Sequence, residues 1–99
     1  MTPQPPINYR VSQSQIVTEQ FRQLFARAER LGWRRIFLVA SHYMMDELAY
    51  DPIHFGESRG TLPHLQLEMR IAFAPPVYVE FAVHEPSRQV FIRNFGMRD

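Results

Sequence analysis

Residues 65–73 read LQLEMRIAF, and the stretch alternates: Leu65, Leu67, Met69, Ile71 and Phe73 fall on one side, Gln66, Glu68 and Arg70 on the other. Period-two alternation predicts a strand with one side against a core and one side in water. On that reading the odd-numbered residues point inward and Arg70 is displayed to solvent. Two questions follow for the rest of the chain: what covers the apolar side, and what Arg70 meets.

Upstream, the segment INYRVS (7–12) alternates Ile7, Tyr9 and Val11 with Asn8 and Arg10, which predicts a short first strand. Ser12 or Ser14 is placed to cap a helix whose apolar stripe is Val17, Phe21, Leu24, Ala28 and Leu31, with Glu19 and Arg22 on its polar side. Gly32 stops that helix. A second helix follows, with Trp33, Ile36, Phe37, Ala40, Tyr43, Met44 and Leu48 at helical spacing. It ends near Tyr50, because Pro52 disfavours helix at Asp51. DPIHFGESRGTLP (51–63), punctuated by proline and glycine, reads as a loop in which Gly56 makes the turn. Downstream come three strands, over 65–74, 77–84 and 89–95. The expected fold class is α+β in the order β-α-α-β-β-β: a two-helix hairpin on one face of a mostly antiparallel four-stranded sheet.

Length and composition agree with a single domain over 7–99 behind a flexible, Pro-rich tail at 1–6. No apolar run is long enough to span a bilayer, and MTPQPP lacks the features of a signal peptide, so no membrane contact and a cytoplasmic location are expected. The chain has no cysteine, and His42, His54, His64 and His84 lack the short spacings of a metal site; neither metal nor cofactor is expected. All 11 basic residues are arginine, and 10 acids bring the net charge to +1. Arginine suits bidentate phosphate recognition but does not act as a general base.

The apolar pattern also constrains strand pairing. The preferred register sets Ile71 opposite Val79, Met69 opposite Phe81 and Arg70 opposite Glu80, with 74–76 as the loop. The last hairpin then sets Val83 opposite Val90, Phe81 opposite Ile92, Glu80 opposite Arg93 and Tyr78 opposite Phe95. The expected open face is a row Arg70–Glu80–Arg93 flanked by Glu68, Tyr78, His84, Phe91 and Phe95. Such a row is either a charge ladder worth about 0.2–1 kcal/mol per pair or a phosphate-binding face. In the second case Arg70, Arg93 and Arg98 stabilise developing negative charge, and Glu68, Tyr78 and His84 supply proton transfer.

The order of elements, DPIHFGE followed by LQLEMRIAF, and the closing VEFAVHEPSRQVFIRNFG together resemble the RelE/ParE superfamily of bacterial type II toxin–antitoxin modules. The resemblance implies a toxin neutralised by a cognate antitoxin, acting on ribosome-bound mRNA or on DNA gyrase. For an mRNA endonuclease it implies that Arg70 holds the second-strand basic position and Arg98 the basic position after the last strand. The third-strand arginine position holds Tyr78, and the lysines common in such sites are absent. A non-catalytic, non-toxic interaction module on the same fold, with a homodimer as one form, is the alternative.

Overall fold

The computed structural model describes residues 7–98; the segment 1–6, expected to be a flexible tail, lies outside the described residues, as does Asp99. Two helices pack on one face of a five-stranded mixed sheet. The elements are β1 (Arg10–Gln13), α1 (Gln15–Arg30), α2 (Arg34–Tyr50), β2 (Glu57–Leu62), β3 (Leu67–Ala74), β4 (Val77–His84) and β5 (Gln89–Met97). Strand order is β1-β5-β4-β3-β2, with β1 parallel to β5 and all other pairs antiparallel.

Local chemistry accounts for the helix boundaries. Ser14 is the N-cap of α1, its Oγ accepting the Val17 N–H at 3.2 Å. At the other end Trp33 N–H bonds to Ala28 O and Gly32 N–H to Glu29 O, with Gly32 at φ 76°, which closes the helix as a Schellman turn. α2 buries Phe37, Ala40, Ser41, Met44 and Leu48. Ile36 and Tyr43, expected in that stripe, lie outside it at 57% and 50% exposure. Asp51 leaves the helical region, at φ −149° and ψ 70°, ahead of Pro52, which disfavours helix at the preceding residue. Between the layers, Phe37 packs against Phe21 and Phe25, with centroids 5.3 and 6.0 Å apart, over Val79, Phe81 and Val90 of the sheet.

Three features differ from the sequence expectation. The first strand begins later than Ile7, because the N–H groups of Asn8 and Tyr9 both bond to Ala49 O at the end of α2. The connection read as a loop contains β2, an edge strand with no apolar alternation and a register shift between Ser58 and Gly60; exposed edges carry no hydrophobic pattern. The sheet is therefore five-stranded and mixed, not four-stranded.

The third difference is register. The β3–β4 loop is Pro75–Pro76, a two-residue connection with a cis bond, and Ala74 pairs with Val77. This shifts the hairpin by one residue from expectation: Arg70 opposes Phe81, Ala72 opposes Val79, and Ile71 opposes Glu80. A one-residue slip moves every side chain to the other face. Because Val77, Val79, Phe81 and Val83 line the helix side, so do Ala74, Ala72, Arg70 and Glu68, while Leu67, Met69, Ile71 and Phe73 face away. The hydrophobic half of the amphipathic strand is thus on the face without helices, and Arg70 and Glu80 lie on opposite faces.

The last hairpin begins as expected, with Val83 opposite Val90 and Phe81 opposite Ile92. A bulge then inserts Arg93, so Glu80 pairs with Asn94 and Val79 with Phe95. Phe95 consequently turns to the helix side, 5% exposed, with its ring 5.5 Å from that of Phe21 and its N–H donated to Gln20 Oε1. Its expected place on the open face beside Tyr78 is corrected.

Candidate functional site

The six residues expected to form a site fall into separate groups. Arg70 and Glu68 belong to the helix side, beneath the connection from α2 to β2. The Arg70 side chain is 10% exposed and donates to Glu68 Oε1 through Nη1, to Gly56 O through Nη2 at 2.7 Å, and to Phe55 O through Nε at 3.4 Å. Each of its three nitrogens donates to a protein acceptor. Gly56 makes this possible: it sits at φ 85°, and a Cβ there would lie 2.2 Å from Ile71 O and 2.8 Å from the Ala72 Cβ. The connection therefore lies directly on β3, and Arg70 ties it down. Glu68 is 30% exposed and opens into a cleft of ≈ 420 Å³ that also holds Ile53, Val83 and Glu85. Two carboxylates at that mouth disfavour an anionic ligand.

The open face holds the remaining four, spread along β4. Tyr78 lies at one end, its ring resting on Gly96, where a Cβ would meet the ring at 2.0 Å. Arg98 joins it there, its N–H bonded to Pro76 O at 2.7 Å and its guanidinium 5.2 Å from the Phe73 ring and 5.9 Å from the Tyr78 ring. His84 lies at the other end of the same strand. Six residues of extended chain separate it from Tyr78, about 20 Å. Its Nδ1 faces Ser87 Oγ at 2.5 Å and accepts the Ser87 N–H at 3.3 Å, so it fastens the β4–β5 turn. Arg93 sits between these ends and reaches over β4 to Met69, with Nη1 3.9 Å from Sδ.

Phosphodiester chemistry needs donor and acceptor groups converging within hydrogen-bond reach of one reacting atom. Here Tyr78 with Arg98, Arg93, and His84 occupy successive positions along the open face, and Glu68 with Arg70 lie through the sheet from them. The row Arg70–Glu80–Arg93 does not form. What the open face does present is aromatic and aliphatic surface: Phe73 is 44% exposed and Phe91 37%, beside Leu67 and Met69. Among the described residues no group of three or more His, Asp or Glu side chains is placed to hold a metal ion, and no helix is long and apolar enough to cross a membrane.

Sequence reasoning missed two arrangements. His54 Nδ1 lies 2.9 Å from Asp51 Oδ2, in a polar cleft with Tyr50, Glu85 and Arg88; three-residue spacing after a helix end was its only signal. The second is the outer stripe of α2, where Ile36, Val39, Tyr43 and Tyr50 are exposed. Their intervals of three, four and seven residues are visible in the sequence, but assigning Ile36 and Tyr43 to the core-facing pattern hides the outer stripe.

Comparison of the chain with protein-family models, with curated proteins and with solved structures finds no match.

Proposed function

We propose that this chain is a RelE/ParE-like toxin of a type II toxin–antitoxin module that acts by binding its target, DNA gyrase, and not by cutting ribosome-bound mRNA. The family reading rests on the sequence resemblance and on the succession of one strand, two helices and a run of antiparallel strands within a mixed sheet. The preference for a non-cleaving mode rests on one observation: Arg70, the residue matching the second-strand phosphate position, has a side chain only 10% exposed and bonded to Glu68, Phe55 O and Gly56 O. A guanidinium so engaged has to leave these partners to hold a phosphate, at a cost of several hydrogen bonds. The exposed Phe73 and Phe91 on the open face suit coverage by an antitoxin segment with apolar anchors.

The same burial of Arg70 favours a second reading, a non-toxic interaction module that keeps the fold. Induced expression without the neighbouring antitoxin gene separates the readings. Growth arrest with intact transcripts, and inhibition of DNA supercoiling by purified gyrase on adding the protein, are the expected results. Arrest with cleaved transcripts would return the function to ribonuclease chemistry. Normal growth would leave the interaction module.

A further inference from the structure

α2 has two apolar stripes, and its own fold uses only one of them. Phe37, Ala40, Met44 and Leu48 are buried against the sheet. On the outer side Ile36, Val39, Tyr43 and Tyr50 stand 57%, 63%, 50% and 42% exposed. Ile36, Tyr43 and Tyr50 recur every seven residues with Val39 between the first two, the seam along which helices pair side by side. Tyr43 is held in place by Phe55, edge to face with centroids 5.9 Å apart. Beside the seam, Ile36, Val39, Tyr43, Ala74 and Pro75 line an apolar groove of ≈ 450 Å³.

The charges along this seam point to its occupant. Arg35 flanks it in the first turn, and Asp46 takes the next seam position after Tyr43. No ion pair within the chain joins either of them to another described residue. We infer that α2 pairs with α2 of a second copy, antiparallel about a two-fold axis near Ser41. That arrangement sets Val39 of each copy against Tyr43 of the other, with the ring entering the groove beside Pro75. The same register sets Asp46 of each copy opposite Ile36 of the other, one residue along from Arg35, whose long side chain reaches the carboxylate and neutralises it. A parallel pair would set Arg35 against Arg35 and Asp46 against Asp46, which like-charge repulsion opposes. The seam from Ile36 to Tyr50 is about 21 Å long, so the interface is small, below about 1,200 Å² in total, and belongs to the class of reversible complexes. Small interfaces of this kind are those of transient encounters, so a concentration-dependent equilibrium is expected. The pairing does not depend on the proposed toxin role, since it uses neither the open sheet face nor Arg70.

Sedimentation equilibrium of the purified chain, from low micromolar to near-millimolar concentration, tests this. A reversible monomer–dimer equilibrium is expected. Val39→Asp should weaken it at least roughly tenfold while the far-ultraviolet circular dichroism spectrum stays unchanged, because Val39 lies outside the core. Arg35→Glu and Asp46→Arg should each weaken it severalfold, and the double variant should restore it to near the wild-type constant. A monomer throughout the range, or a dimer indifferent to Val39→Asp, overturns the proposal. Failure of the double charge reversal to restore association overturns the antiparallel pairing.

Discussion

The guanidinium of Arg70 bridges the carboxylate of Glu68 and the backbone of the α2–β2 connection, holding Phe55 and Gly56 onto β3. Its position explains how a charged pair is accommodated on the helix-covered side of a sheet. α2 lies beside Ala74, and the connection beyond the helix, through Gly56, is the covering layer over Ala72 and Arg70, offering carbonyl acceptors instead of apolar side chains. The arrangement is a structural ion pair with added hydrogen bonds, the condition under which a buried charge is tolerated.

Arg70→Met should therefore act on stability. The substitution keeps the apolar stem but leaves the Glu68 carboxylate and two carbonyls without their donor, a loss on the order of 2–4 kcal/mol. In a domain of this size that lowers the melting temperature by at least roughly 10 °C. Adding Glu68→Gln should recover part of the loss, since the uncompensated charge is then gone. A melting temperature for Arg70→Met equal to that of the wild type would remove the structural role argued for this arginine.

Phe91 and Phe95 provide a direct test of the β5 bulge. With Arg93 inserted, Phe95 packs on Phe21 within the core while Phe91 stays on the open face. Phe95→Ala should cost about 3–5 kcal/mol of stability, and Phe91→Ala below about 1 kcal/mol. Urea denaturation of the two variants measures both. Equal losses, or the reverse order, would mean that the strand continues without a bulge.

Tyr78 and Gly96 should be strongly coupled, because the ring occupies the space a Cβ at residue 96 would need. Gly96→Ala is expected to destabilise the wild-type protein by about 1–3 kcal/mol through displacement of the ring. In a Tyr78→Ala background the same change should be neutral or slightly stabilising, as alanine is preferred to glycine within a strand. A double-mutant cycle gives the interaction energy; strictly additive effects would show that the ring does not rest on Gly96.

Much of the fold was legible because it is decided within a few residues. The Ser14 cap, the Gly32 stop, the Pro52 boundary and the inward stripe of α1 are all local and fall where the sequence predicts, except that Leu31, expected to end the stripe, is the C-cap and 42% exposed. β4 matches its expected limits of Val77 and His84, since its apolar alternation is unbroken and turns flank it. β2 was not legible: Glu57–Leu62 is paired on one side only and every residue but Leu62 is exposed. Its strand character comes from the hydrogen bonds of β3 and not from its own side chains.

What only the tertiary structure decided is which side of LQLEMRIAF is covered. The alternation of leucine, methionine, isoleucine and phenylalanine with polar residues determines that this is a strand with two unlike faces, but the alternation itself carries no direction. That direction came from a two-residue loop at Pro75–Pro76 where a three-residue loop was expected. Because side chains alternate with period two, that single residue turned the apolar face away from the helices and placed Arg70 beneath the α2–β2 connection. The bulge at Arg93 did the same for Phe95 on a neighbouring strand. The candidate site read from the sequence depended on both parities, and so it was dispersed when each was reversed by one residue.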